Sequence, residues 1–166
     1  PAAPGDRPTL SDFEDHLSTA FPEVRLKRFL EMRGADGGPW SRICALPAFW
    51  VGLLYDEAAL AAAWDLAKTW TQEQRQQLRI DAAHYGLRAS VAGRSLKDVA
   101  LDALEISRLG LRRRARMGDC KPDESGFLDT LEEIARRGET LGENTAKRFL
   151  GELGGDRARL LAEMSY

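Results

Sequence analysis

Cysteine is scarce in this chain: Cys44 and Cys120 are the 2 cysteines among 166 residues. Two cysteines so far apart make neither a disulfide framework nor a zinc site with paired ligands. Cys44 lies in an apolar run, where we expect a buried free thiol, and Cys120 lies in a polar turn that predicts an exposed one. The low cysteine content predicts a cytosolic protein.

Long hydrophobic runs and an excess of positive charge are also missing. The longest apolar run, Ile43–Tyr55, contains Pro47 and Gly52, and it falls short of the roughly 20 residues that a membrane-spanning helix needs. Lys and Arg number 24 against 26 Asp and Glu, which gives a formal net charge of −2. These features predict no membrane association and no broad nucleic-acid surface.

What the chain does contain is enough apolar sequence for one folded domain. Apolar residues make up 43% and charged residues 30% of it, a balance that supports a real hydrophobic core. Residues 1–9 are rich in Pro and Gly and predict a flexible lead. The start lacks Met, so we expect the chain to be a portion of something longer. Residues 10–166 are expected to fold.

A predicted strand over residues 23–34 runs into a glycine-rich turn over residues 34–39, and nearly everything after it (residues 41–166) is predicted to be helical. Apolar periodicity and capping residues predict these helices: Ser41–Leu54, Asp56–Trp70, Thr71 to about Tyr85, Ser95–Gly118, Ser125–Arg137, Glu143–Leu153 and Asp156–Met164. The predicted fold class is α+β and predominantly helical, with one or two strands followed by a helical bundle. So few strands predict either pairing with a symmetry mate in a homodimer, or a sheet completed by sequence outside this chain.

The predicted strand carries charge on one face, because side chains alternate along a strand. Its charged face presents the following residues: Glu23, Arg25, Lys27, Phe29, Glu31 and Arg33. Such a face either meets bulk water or lines a polar cavity, and alternation alone favours water. In a cavity, Glu31 would bind Mg²⁺ through oxygen and Arg33 would hold a phosphoryl group. Asp36 in the turn would either help to hold the metal or cap its own turn.

The run HLSTAFPEVRLKRFLEMRGADGGPWSRICALPAFWVGLLYD, His16–Asp56, resembles the glutamate–cysteine ligases of plant and proteobacterial type. The segment Trp64–Gln74 and the sequence GFLDTLEEI at Gly126–Ile134 are similar to the same family. The resemblance extends from about Leu10 to the end of the chain. It covers only the C-terminal portion of the family's sequence, and the ending at Tyr166 looks like a natural C-terminus.

The resemblance implies an ATP-dependent ligase that makes γ-glutamylcysteine from glutamate and cysteine through an acyl phosphate, with Mg²⁺ as its metal. It also implies a fold like the catalytic part of glutamine synthetase, in which a curved antiparallel sheet forms a funnel over the metal ions. By position, Glu31 is the expected Mg²⁺ ligand and Arg33 is expected to contact the transferring phosphoryl group. Arg25 and Lys27 are expected near substrate carboxylates or phosphates.

Three interpretations remain open for the chain itself. As a portion of a ligase that lacks the N-terminal part, it is expected to be inactive alone. It would otherwise be a non-catalytic helical module that binds the missing half or self-associates. A related carboxylate–amine ligase would share the strand but use another amine.

Overall fold

Two separately packed units make up the computed structural model, which describes residues 5, 7–35, 37–117 and 123–165. The first unit is Pro1–Asp36 and the second is Gly37–Tyr166. Most of the predicted flexible lead, together with Asp36 and Cys120, lies outside the described residues.

The first unit contains one helix and one hairpin. Helix α1, Leu10–Ser18, begins at Thr9, whose hydroxyl accepts a hydrogen bond from the backbone N–H of Asp12. The Asp12 carboxylate in turn accepts from the Thr9 backbone N–H at 2.6 Å, which completes a capping box. Strands β1, Val24–Leu26, and β2, Leu30–Met32, pair antiparallel.

The hairpin differs from the single strand that the sequence predicts over residues 23–34. The chain reverses after Leu26, where the N–H of Lys27 donates to the carbonyl of Phe29 at 2.9 Å. The reversing residues, Lys27–Phe29, include no Gly, Pro, Asn or Asp, so the sequence gives no turn signal there. The reversal places Arg25 directly opposite Glu31 and Leu26 opposite Leu30.

The second unit is built from helices, with a second small hairpin between them. Its elements are α2 Trp40–Leu54, α3 Glu57–Ala67, α4 Gln72–Tyr85, a 3₁₀ helix Gly86–Arg88, β3 Ser90–Val91, β4 Arg94–Ser95, α5 Leu96–Met117, a 3₁₀ helix Glu124–Leu128, α6 Asp129–Arg137, α7 Leu141–Leu150 and α8 Arg157–Met164. Helix α2 runs through Pro47 without restarting. A mainly helical chain with two small antiparallel strand pairs agrees with the predicted α+β class.

Helix α5 is the centre of the second unit, where it packs on α2, α3 and α6. Its buried Leu104 and Leu111 join Ala48, Leu128 and Ala135 in the main core cluster. Two further contacts draw α2 and α5 together. The hydroxyl of the fully buried Ser107 donates to the carbonyl of Phe49 at 2.9 Å, and the backbones meet at a pair of glycines, Gly52 and Gly110.

Within the part of the chain that the structure describes, no single helix is long and apolar enough to cross a membrane; α2 and α3 would meet that test only as a pair bent by 94°.

Candidate active-site hairpin

The candidate site lies on the hairpin of the first unit, where strand pairing brings three of the predicted residues together. Arg25 and Glu31 face each other across β1 and β2. Arg33 follows β2, and its backbone N–H donates to the carbonyl of Glu23 at 2.8 Å, which continues the pairing by one step. Because alternate residues share a face of a strand, the side chains of Glu31 and Arg33 lie side by side.

Glu31 is the centre of this cluster. The Nε of Arg25 donates to its Oε2 at 2.7 Å, and Nη1 of Arg33 lies 3.6 Å from the same oxygen. All three side chains are partly buried, with 22% of Arg25, 33% of Glu31 and 22% of Arg33 exposed. The charged face of the hairpin is therefore an ordered ion-pair cluster, and its cations outnumber its carboxylates.

Electrostatics keep the Glu31 carboxyl ionised. The hydrogen bond from Arg25 lowers its pKa below the usual value, while partial burial opposes this shift. The charges of Arg25, Arg33 and Lys27 lower the pKa further. An ionised carboxylate beside fixed guanidinium groups is suited to a ligand that carries both a metal cation and an anionic phosphate.

Lys27 is the predicted site residue that stands apart from the ion pairs. It begins the turn of the hairpin and its side chain is exposed. Its charge reaches Glu31 at longer range. The structure thus assembles Arg25, Glu31 and Arg33, and it leaves Lys27 at the rim.

The hairpin is suited to contribute one ligand to Mg²⁺, the carboxylate of Glu31. Both ion pairs of Glu31 use Oε2, and Mg²⁺ is commonly held by one or two carboxylates together with waters and substrate phosphates. In the described part of the chain, no group of three or more His, Cys, Asp or Glu side chains is placed to hold a metal ion. Glu31 is therefore suited to a metal that arrives with phosphate oxygens as further ligands.

Phe21 is a member of the cluster that sequence reasoning missed. The guanidinium carbon of Arg33 lies 4.8 Å from the centroid of its ring. Phe21 precedes the predicted strand, so the alternation that selects Glu31 and Arg33 does not include it. The one local feature of the sequence here is an aromatic residue before Pro22. It does not indicate a contact with Arg33, 12 residues later.

Comparison with known proteins identifies what this sequence is similar to. Residues 4–162 match the family model described as glutamate-cysteine ligase family 2. The chain is 47% identical over 163 residues to the chloroplastic glutamate–cysteine ligase of Nicotiana tabacum, an alignment covering 98% of this chain and 30% of that protein. For the chloroplastic glutamate–cysteine ligase of Arabidopsis thaliana, the identity is 46% over 166 residues, covering 100% and 31% respectively.

A third relative is the chloroplastic glutamate–cysteine ligase A of Oryza sativa subsp. indica, which is 50% identical over 143 residues, or 86% of this chain and 28% of that protein. The chain thus spans about 30% of the length of these curated relatives.

The names of the relatives correct one prediction. Each is called chloroplastic, so the cytosolic location predicted from composition is wrong. Cysteine content reports whether a compartment is oxidising or reducing. It cannot distinguish one reducing compartment of a cell from another.

Proposed function

Because this chain belongs to glutamate-cysteine ligase family 2, we propose that it is the C-terminal portion of an ATP-dependent ligase that joins glutamate to cysteine. The observation that carries this proposal is the hairpin on which Glu31 and Arg33 lie side by side. The family match supplies the reaction, and the charge cluster is the part of the described chain whose chemistry suits it.

The proposed reaction has two steps. The γ-carboxylate of L-glutamate attacks the γ-phosphorus of ATP, which gives γ-glutamyl phosphate and releases ADP. The amine of L-cysteine then attacks the acyl carbon, the C–O bond to phosphate breaks, and the amine loses a proton. The products are γ-glutamylcysteine and inorganic phosphate, which is the first step of glutathione biosynthesis.

Arg33 is assigned to the transferring phosphoryl group. Negative charge is spread over the phosphoryl oxygens in the transition state, and a fixed guanidinium stabilises it. Arg33 is suited to this because its 3.6 Å contact with Glu31 is too long to be a hydrogen bond. That contact therefore leaves Nη1 of Arg33 available to a phosphoryl oxygen.

Glu31 is assigned to Mg²⁺, which when bound would neutralise charge on the ATP phosphates. Arg25 is assigned to orienting the Glu31 carboxylate, which its short hydrogen bond already does. We keep Arg25 and Lys27 as candidates for contacting substrate carboxylates or phosphates, and the exposed Lys27 is free of the short ion pair that occupies Arg25.

The remainder of a family-length polypeptide is proposed to complete the site. The described residues of the first unit include none that is buried, and its exposed apolar side chains include Phe13, Leu17 and Leu26. A sheet like that of glutamine synthetase, to which the hairpin would contribute two strands, would cover such a surface. A homodimer is the other arrangement that would cover it.

A second candidate function is a non-catalytic helical module. The observation that favours it is that the second unit has its own core around Leu104, Leu111 and Leu128. Such a module would fold and associate without any substrate. It predicts a stable association of this chain that neither glutamate, cysteine nor ATP alters.

The test is the formation of γ-glutamylcysteine by the full-length protein with glutamate, cysteine, ATP and Mg²⁺, measured by chromatography of the product alongside ADP release. We expect both products to appear in equal amounts and both to depend on cysteine. ADP release that depends on a different amine would assign the chain to a related carboxylate–amine ligase. ADP release by the 166-residue chain alone would contradict its proposed role as an inactive portion.

A further inference from the structure

Arg33 contacts an aromatic ring as well as a carboxylate. Its guanidinium carbon lies 4.8 Å from the centre of the Phe21 ring, while its Nη1 lies 3.6 Å from Oε2 of Glu31. Arg25 shows the more common arrangement, since its Nε donates to Glu31 at 2.7 Å. Arg25 is thus held by a hydrogen bond, whereas Arg33 combines a contact with an aromatic ring and a longer ion pair.

The aromatic contact matters because of which part of the guanidinium it uses. A ring attracts the cation through the electrons of its face. The N–H donors of arginine, by contrast, form a planar fork that matches phosphate oxygens. A ring within cation–π distance therefore fixes the position of Arg33 without using its donors as a carboxylate would.

Burial does not explain why Phe21 lies there. Within this chain the residue is 78% exposed, so it contributes little to a hydrophobic core there. Its contact with Arg33 links the segment before β1 to the residue after β2. This contact lies at the open end of the hairpin, next to the hydrogen bond between the Arg33 N–H and the Glu23 carbonyl.

From these contacts we propose that Phe21 is a positioning residue for Arg33, and that its ring holds the guanidinium where the transferring phosphoryl group will lie. This rests on the proposed function, in which Arg33 contacts that group. Phe21 touches neither substrate nor metal in this account. It acts on the rate through Arg33 alone.

The test is a double-mutant cycle in the full-length protein, which combines Phe21→Leu with Arg33→Ala. Phe21→Leu alone is expected to lower kcat about two- to fivefold, the size of effect expected from one exposed cation–π contact. The KM for cysteine and the midpoint of thermal unfolding are expected to stay the same. Phe21→Tyr, which keeps the aromatic face, is expected to retain normal turnover.

In the Arg33→Ala background, Phe21→Leu is expected to cause no further loss, because the residue on which it acts is gone. Phe127→Leu is the control, since Phe127 is an exposed phenylalanine of the second unit and not part of the hairpin, and we expect it to leave kcat unchanged.

Three results would overturn the role of Phe21. One is an unchanged kcat in Phe21→Leu while Arg33→Ala loses turnover. Another is a loss that is equally large in the presence and absence of Arg33. The last is a loss of kcat accompanied by a lower unfolding temperature that Phe21→Tyr does not restore. Normal turnover in Arg33→Ala is a separate outcome, because it would contradict the proposed role of Arg33 itself.

Discussion

Short hydrogen bonds lower the pKa values of two carboxyl groups in this protein, Glu31 and Glu143. The pKa of Glu31 is lowered because Arg25 donates a hydrogen bond to its carboxylate, and the pKa of Glu143 is lowered further. Backbone and side-chain hydrogen bonds from Thr140, with a hydrogen bond from Arg88, lower the pKa of Glu143 to about 2. Glu143 thereby completes the capping box that begins helix α7.

The depressed pKa of Glu143 predicts a pH dependence of stability. Its folded-state pKa, about 2, lies below the ordinary value of 4.5 for a Glu carboxyl, so the ionised group stabilises the fold above pH 4.5. That stabilisation is lost as the pH falls through the folded-state pKa. In thermal unfolding between pH 6 and pH 2, we expect Glu143→Gln to be less stable than the wild type at pH 6, with the difference shrinking towards pH 2.

The control for this prediction is Glu133→Gln, which removes one carboxylate from an exposed i,i+4 pair with Arg137. Because such pairs contribute little, we expect that variant to follow the wild type. A difference between wild type and Glu143→Gln that stays constant with pH would show that the charge of Glu143 has no part in capping α7.

Substitution of Arg108 is expected to destabilise the fold more than substitution of Glu143. The Arg108 side chain joins α5 to the 3₁₀ helix Glu124–Leu128 and to α6. Only 14% of it is exposed, and it donates to the Ser125 carbonyl, to Asp129 and to Glu132. Arg108→Met is expected to lower the free energy of unfolding by about 2 kcal/mol, since it leaves these acceptors without their donor. Urea unfolding measures this. Arg112→Met, at an exposed position on the same helix, should change it by less than about 0.5 kcal/mol.

At the scale of elements, the crossing of α2 and α5 depends on two glycines. A Cβ placed at Gly110 would lie 1.9 Å from the carbonyl oxygen of Gly52 and 2.9 Å from the Cβ of Ala59. No real Cβ contact is that short, and backbone atoms cannot rotate away as a flexible side chain would. The helices would have to move apart and weaken the core that α5 forms.

Gly110→Ala is therefore expected to lower the free energy of unfolding by about 2 kcal/mol, although Ala is intrinsically the better helix former. Gly142→Ala is the matched control. Gly142 lies inside α7 with nothing within 4 Å of the added Cβ, so the same substitution there should stabilise by up to about 1 kcal/mol. Equal effects at both positions, measured by urea unfolding, would contradict the close approach of α2 and α5.

The starts of α3 and α4 and the end of α6 agree best with the prediction, because their signals are local, whereas α6 begins at Asp129 and not at Ser125, and α7 is Leu141–Leu150 and not Glu143–Leu153. Asp56 and Thr71 begin α3 and α4 as predicted, and Gly138 ends α6 in the left-handed conformation with φ of 70°. Capping depends on residues at most four apart, and a sequence displays these directly.

Both hairpins show where local signals fail. The turn of the first, Lys27–Phe29, carries no turn-forming residue. The turn of the second contains Ala92 and Gly93 with φ of 49° and 78°. Positive φ at both central residues favours Asn-Gly or Asp-Gly, so Ala-Gly gives a weak signal. For the candidate site, alternation along a strand predicts that Glu31 and Arg33 share a face. The pairing of Arg25 with Glu31 and the contact of Phe21 with Arg33 arise from the chain reversal, so the sequence did not predict them.

At the scale of the whole molecule, the described residues form one unit with a core and one without. The buried residues lie in the second unit, while the described residues of the first include none. A stretch of some 30 residues with an exposed apolar surface has little to hold it together alone, since chains below about 40 residues usually need further support. This contrast predicts a difference in stability within the 166-residue chain.

Hydrogen exchange followed by mass spectrometry would detect that difference. We expect backbone amides of α5 near Leu104 and Leu111 to exchange slowest, and those of β1 and β2 to exchange many times faster. In the full-length protein, the hairpin amides should become protected, because the rest of the ligase is proposed to cover them. Protection of β1 and β2 equal to that of α5 in the 166-residue chain would contradict the account of an incomplete first unit.

The central claim is that Glu31 and Arg33 act on metal and phosphate in glutamate–cysteine ligation. It is tested most directly by the rate of γ-glutamylcysteine formation in full-length Glu31→Gln and Arg33→Ala, with Glu14→Gln on the exposed surface of α1 as the control. We predict that Glu31→Gln abolishes ATP-dependent product formation, that Arg33→Ala loses most of kcat, and that the control stays at the wild-type rate. Near-normal turnover in both site variants would contradict the assignment of the hairpin as the active site.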